Sequence, residues 1–175
     1  MMGEPSLTVA MEVEIDHGQV YIYSESPYEK DPESDAVLRA LDDAWKSRRF
    51  VGVADGLIDL VTPVQWNFHA PMRIEVWSAQ PPSDEDNWDH VVDVDFDVSN
   101  NQVIFQGSGG LMPVRCGEPV PSGAYRARVA GRGYTEVSSG AEGLDSYRLQ
   151  LWPREARSAP ALRRAWPGFQ AKAWT

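Results

Sequence analysis

The amino-acid sequence predicts a mainly β protein, an antiparallel β-sandwich of about eight short strands with one amphipathic helix. Three observations carry that prediction. Apolar and polar residues alternate in short runs along most of the chain, which is the side-chain period of a strand. Turn-forming residues punctuate those runs at Asp16-His17-Gly18, Ala54-Asp55-Gly56 and Asn100-Asn101. In the first half, one segment alone changes to helical spacing, Asp35 to Arg48. With 175 residues, including seven Trp, six Tyr and five Phe, the chain has enough apolar bulk for a core. No internal repeat divides it.

In chain order, SLTVAMEVEIDHGQVYIYSES gives two strands around its turn. Val13 and Ile15 lie opposite Glu12, Glu14 and Asp16, and Val20 and Ile22 alternate with Tyr21 and Tyr23. Residues 26–35 are polar, as in an exposed loop. Residues 35–48 then set Val37, Leu38, Leu41 and Trp45 at helical spacing, with Ser34 or Asp35 as N-cap. FVGVADGLIDLV reads as strand, tight turn and strand, and MRIEVWSAQ alternates Met72, Ile74 and Val76 against Arg73, Glu75 and Trp77. After the acidic loop 81–89 come the strand HVVDVDFDV, an Asn-Asn turn and an antiparallel strand over Val103 to Gln106. Residues 107–123 are rich in Gly and Pro and allow one brief strand. AYRARVAGRGY and DSYRLQLWP supply two more, the second ended by Pro153. The sandwich domain is thus placed at 1–153, with a basic C-terminal extension at 154–175 that forms a short helix around 160–166 before fraying.

Charge is divided between the two halves. The formal net charge is -10, yet residues 1–105 hold 21 acidic and six basic side chains, whereas 106–175 hold five acidic and ten basic. Two readings follow: halves packed on complementary faces, or an acidic face kept for a basic partner. A face of this sign excludes direct binding of nucleic acid, which needs Lys and Arg to neutralise phosphates. No apolar run approaches the ~20 residues of a membrane span, and MMGEPSLTVAMEVEI lacks the charged-then-apolar order of a secretory signal. A cytoplasmic location is expected. Cys116 stands alone, so neither an internal disulfide nor a cysteine-based zinc site is available.

The most informative stretch is HVVDVDFDVSNNQVIFQG. On a strand, Val92, Val94, Phe96 and Val98 enter the core, while Asp93, Asp95 and Asp97 form a row at roughly 6.5–7 Å intervals on the other face. The row is not a calcium loop, because the positions that need Gly and Glu hold Val98 and Ile104. Arg126 and Arg128 have the matching spacing for a ladder of exposed Asp–Arg pairs if their strand lies alongside. The competing reading is a partner-binding face made of Asp93, Asp95 and Asp97 together with Asp84, Glu85 and Asp86 of the preceding loop. His17, His69 and His90 stand far apart and Ser108 lacks a nucleophile-elbow context, so no catalytic residue, metal site or cofactor is assigned.

At RFVGVADGLIDLVTP, WDHVVDVDFDVSNNQVIFQG and EPVPSGAYRARV the chain resembles the competence protein J family, the inhibitors of a DNA-entry nuclease. The shared pattern is a Gly-Ala-Asp-Gly-like strand start, a strand-turn-strand with Asn at the turn, and a Pro-x-Gly turn leading into a strand with Tyr. It spans about residues 8 to 130, and the insert at 81–89, the strand near 147–152 and the basic tail depart from it. The resemblance implies a nuclease inhibitor and brings no catalytic residues. The expected function is therefore a non-enzymatic protein-binding module, an inhibitor or immunity-like protein that presents an acidic face to a basic partner, with its oligomeric state left open. The alternative is a small-molecule or carbohydrate-binding sandwich, with or without an activity, using Trp77 and Trp88 beside Asp89.

Overall fold

The protein is described by a computed structural model covering residues 3–134 and 141–171. Its strands are β1 (Leu7–Asp16), β2 (Gln19–Tyr23), β3 (Val51–Ala54), β4 (Leu57–Val61), β5 (Trp66–Val76), β6 (His90–Val98), β7 (Ile104–Gly107), β8 (Val114–Arg115), β9 (Gly123–Arg132), β10 (Ser146–Pro153) and β11 (Ala161–Arg164). Helices are α1 (Pro27–Lys30), α2 (Ala36–Lys46) and α3 (Gly168–Ala171).

Three tight turns stand where the sequence places them. His17-Gly18 joins β1 to β2, Asp55-Gly56 joins β3 to β4, and Asn100-Asn101 follows β6 inside a Ser99–Gln102 bridge. All six residues hold positive φ, the conformation that a two-residue turn between right-twisted strands demands. The first two turns make hairpins. The third does not, because β7 leaves β6 and pairs with β2 and β8, while the edges of β6 are taken by β9 and β11.

The sheet order is β11-β6-β9-β10-β5-β1-β2-β4-β3. β10 runs parallel to β5, and the other pairs are antiparallel. The expected antiparallel sandwich of about eight strands is therefore replaced by one mixed 11-stranded sheet, curled into a half-barrel. The cause lies in the β5–β10 pairing, which stitches into one sheet what strand patterns alone would divide in two. Curling brings Val92, Val94 and Phe96 of β6 into one apolar cluster with Ile58 and Leu60 of β4, although the two strands stand far apart in sheet order.

α2 lies on β3 and β4 by a stripe of small residues. Ala36, Ala40 and Ala44 are buried, Val37, Leu41 and Trp45 pack at the margins, and Leu38, expected inside, is 69% exposed. Gly52 decides this arrangement: a Cβ there would lie 1.7 Å from the Ala40 carbonyl oxygen, so the helix backbone rests directly on the strand. The Ser34 hydroxyl accepts the Ala36 N–H at the helix start.

Beyond β10 the chain turns back over the sheet. The helix expected around 160–166 is instead the strand β11, on the free edge of β6 through Ala161↔Asp93 and Leu162↔Val92. α3 then drops Phe169 into the core, stacked on Phe50 at 3.9 Å. Among the described residues no helix is long and apolar enough to cross a membrane.

Candidate functional site: a paired aspartate row and an acidic groove

β6 has the register its sequence predicts. Val92, Val94, Phe96 and Val98 are buried, and Asp93, Asp95 and Asp97 share the opposite face. β9 lies alongside with Asp93↔Arg128 and Asp95↔Arg126 as direct partners, so the Asp–Arg ladder forms. Its setting differs from the exposed ladder expected. Asp93 is 4% exposed and Arg128 is wholly buried, whereas the Asp97 side chain is 54% exposed. Burial is graded along the row because the segment after β10 crosses it.

Each acid of the expected binding face has an arginine partner from the second half of the chain. Asp93 takes a bidentate pair from Arg128, Nε at 2.8 Å and Nη2 at 3.0 Å. Asp95 pairs with Arg126 at 2.9 Å and accepts the Ser158 N–H at 3.0 Å, and Asp97 pairs with Arg154 at 2.7 Å. In the loop, Asp84 is held by Arg148 at 2.5 and 2.7 Å, Glu85 by Arg163, and Asp86 by Arg164 at 3.3 Å. The charge division of the sequence is, to this extent, a set of internal contacts. These partners also set the proton affinities. The Arg148 guanidinium holds the Asp84 carboxyl below its ordinary range despite partial burial. At Asp95 burial pushes upward, but the Ser158 amide and Arg126 outweigh it and the carboxyl ends below its usual value.

The ladder continues across the sheet as Asp93↔Arg128, Arg128↔Gln150 and Gln150↔Glu75. Gln150 and the Trp77 indole each donate to Glu75 at 2.9 Å, and Arg73 does so at 2.6 Å. Burial raises the Glu75 carboxyl, and these three donors bring it below its ordinary value. Trp88 lies under two guanidiniums, Arg132 at 4.5 Å and Arg148 at 4.6 Å from its ring centre. Asp89 accepts the Tyr134 N–H. Trp77, Trp88 and Asp89 are thus engaged by different partners.

Asp95 and Asp97 border a groove of about 900 Å³ between the end of β6, the β3–β4 turn, the 24–35 loop and the start of the C-terminal segment. Its lining carries six carboxylates, Glu25, Asp31, Asp35, Asp55, Asp95 and Asp97, against four cations, Lys30, Arg39, Arg154 and Arg157. Arg39 bridges Asp35 at 2.7 Å to Asp55 across the rim. The polar 26–35 segment, expected as a loop, carries α1, and nothing in its pattern showed that it meets Asp55 and Asp97 around one opening. The other four expected site residues, Asp84, Glu85, Asp86 and Asp93, lie outside this lining. Among the described residues no three His, Cys, Asp or Glu side chains group so as to hold a metal ion.

With this geometry in view, the likeness to solved structures is informative. The chain is similar to a protein described as crocagin biosynthetic gene J, with a TM-score of 0.58 and 17% identity over 88% of this chain and 100% of that one. It is also similar to ComJ of Bacillus subtilis, the inhibitor of the DNA-degrading activity of NucA, with a TM-score of 0.53 and 19% identity over 88% of this chain and 99% of ComJ. The resemblance read from the sequence holds at the level of the fold. Neither a protein-family model nor a curated protein matches the chain in sequence. The shared fold spans more of the chain than the three sequence motifs do, and those motifs lie on β3–β4, on β6 to β7 and on β9. Fold likeness at this identity does not by itself carry a function across.

Proposed function

We propose that the chain is a non-enzymatic, inhibitor-type binding module whose acidic groove receives a basic protein partner of the nucleic-acid-handling kind. The observation that carries this reading is the groove itself, six carboxylates against four cations on a protein of net charge -10. Similarity of fold to ComJ supports the same reading, since ComJ inhibits a DNA-degrading protein. The partner surface takes in Asp95 and Asp97 with the rim acids, and extends toward Asp93 and the Asp84-Glu85-Asp86 loop. An acidic concavity draws a basic partner from a distance and raises the association rate more than the final affinity.

The test is titration of the purified chain into a plasmid-degradation assay driven by a basic nuclease of the NucA kind, with association rates measured at several salt concentrations. Stoichiometric inhibition that slows steeply with salt, and that weakens when Asp31, Asp35 and Asp55 are changed together to Asn, is expected. Absence of both binding and inhibition at micromolar chain would defeat the proposal.

A further inference from the structure

The segment after β10 behaves, in its contacts, like a basic ligand already seated on the acidic face. Arg154 reaches Asp97 at 2.7 Å and Asp95 at 3.6 Å, and Arg163 pairs with Glu85 and lies 3.6 Å from Asp93. Arg164 pairs with Asp86 at 3.3 Å. Backbone adds to charge: Arg126 donates to the Ser158 and Ala159 carbonyls, and the Ser158 N–H goes to Asp95. β11 itself supplies an antiparallel strand to the edge of β6. An extended chain bearing arginines is therefore the chemistry this strip accepts.

Before its end the segment is held by ion pairs and backbone hydrogen bonds, with little apolar burial. From Arg154 to Phe169, Phe169 is the one buried residue, and Leu162 of β11 is 42% exposed. β11 is four residues long and its pairing slips between Leu162 and Arg164. Phe169, by contrast, sits on Phe50 and edge-on to His90, Tyr134 and Trp166. Phe50 is held at φ 57°, a strained conformation for a bulky side chain, at the point where that plug lands. The Trp166 N–H donates to His90 Nδ1, which leaves Nε2–H to donate to the Arg49 carbonyl.

We infer that residues 154–171 form a displaceable strap, pinned by Phe169, that occupies the edge of β6 and the aspartate row in place of an arginine-bearing extended segment of the protein partner. The inference rests on the proposed inhibitor-type binding and names the surface and the form of partner it uses. Displacement by strand addition would expose the β6 edge together with Asp93, Asp95 and Glu85, and would exchange one set of arginines for another. While the strap is in place, the partner pays for its removal, so apparent affinity is the intrinsic affinity multiplied by the fraction of chains with the strap open.

The probe is a labelled synthetic peptide with the sequence of residues 154–171, titrated into the full chain, its Phe169→Ala variant, and that variant carrying Asp95→Asn as well. At least tenfold tighter binding to Phe169→Ala than to wild type is expected, weakened by salt and by Asp95→Asn. Equal binding to wild type and Phe169→Ala, or binding to neither folded protein, overturns the strap. Should Phe169→Ala not fold, amide hydrogen exchange on the wild-type chain decides: Ala161, whose N–H faces Asp93 of β6, should exchange at least a hundredfold faster than Val92 and Val94, whose N–H groups face β9, and equal protection overturns the inference. A wild-type chain that dimerises by exchanging the strap between copies would overturn the partner assignment. Peptide binding without nuclease inhibition would instead sink the proposed function and leave the strap standing.

Discussion

Asp93→Ala should destabilise the protein far more than any other substitution in the aspartate row. Its carboxylate is locked to Arg128 by two hydrogen bonds of 2.8 and 3.0 Å, and neither side chain has appreciable contact with water. Arg128 has little to fall back on, because its Nη1 lacks a hydrogen-bond partner and Asp93 is its one ion-paired acid among the described residues. Removal of the acid strands a buried guanidinium, at a cost of about 3–5 kcal/mol. At about 2–4 °C per kcal/mol for a domain of this size, the melting temperature should fall by roughly 6–20 °C. Asp97→Ala removes a pair whose acid is 54% exposed and should cost at most about 1 kcal/mol. Asp93→Leu with Arg128→Met should recover most of the loss, since apolar replacements of a buried pair are often neutral. Urea denaturation of these proteins, with Asp93→Leu and Arg128→Met also made singly, closes a double-mutant cycle on the pair. An Asp93→Ala cost no larger than that of Asp97→Ala would refute the buried-pair argument and make the whole row a solvated strand face.

Four further outcomes are expected. Gly52→Ala should lift α2 from β3, because the new methyl would lie 1.7 Å from the Ala40 carbonyl oxygen; a cost of about 1–3 kcal/mol or more, with faster exchange of α2 amides, checks it. Phe96→Ala, at a position 2% exposed, should cost about 3–5 kcal/mol in the same denaturation assay. Burial without a hydrogen bond pushes the Asp59 carboxyl up to about 8. The folded chain therefore keeps a proton that the unfolded chain releases above about pH 4, and stability should fall by about 1.4 kcal/mol per pH unit between there and pH 8. Asp59→Asn should remove that slope and be the more stable protein at pH 7, as urea midpoints at pH 5, 7 and 8 would show. Burial pushes the His90 imidazole below its ordinary value, so its contribution is present above about pH 6.5 and is lost as pH falls through the folded value. Exchange of the Trp166 amide, corrected for intrinsic rate, should therefore accelerate in mild acid, and a flat profile would contradict the Nδ1 contact.

The parts of the site that were legible in the sequence are those set by neighbours along the chain. The alternation in HVVDVDFDV fixed which residues of β6 are buried, and equal spacing matched Asp93 and Asp95 to Arg128 and Arg126. The same alternation misled about solvent. A polar face on a strand reads as wet, but Glu75, Asp93, Arg128, Arg148 and Gln150 are all buried. The loop after β5 and the segment after β10 lie over that face, held by ion pairs with partners 57 to 78 positions away in sequence. Local pattern carries no information about such a cover. The acidic groove was equally out of view, since Asp31, Asp55 and Asp97 belong to separate segments.

By itself the sequence determined most of the strands before the C-terminal segment, the single long helix and the three turns, because each depends on φ preferences and side-chain periods within a few residues. It determined too that the second half would supply cations to the first. Only the tertiary structure decided which strands are neighbours, and so made one curled mixed sheet where local pattern suggests two antiparallel layers. The structure also decided that α2 rests on an alanine stripe and not on Leu38, since the close approach depends on Gly52 from another element. Last, it decided that the basic C-terminus is a strand laid on the acidic row and not a fraying helix. Three arginines and a buried Phe169 gain more from partners across the sheet than from local helical hydrogen bonds, and those partners exist only once the sheet has formed.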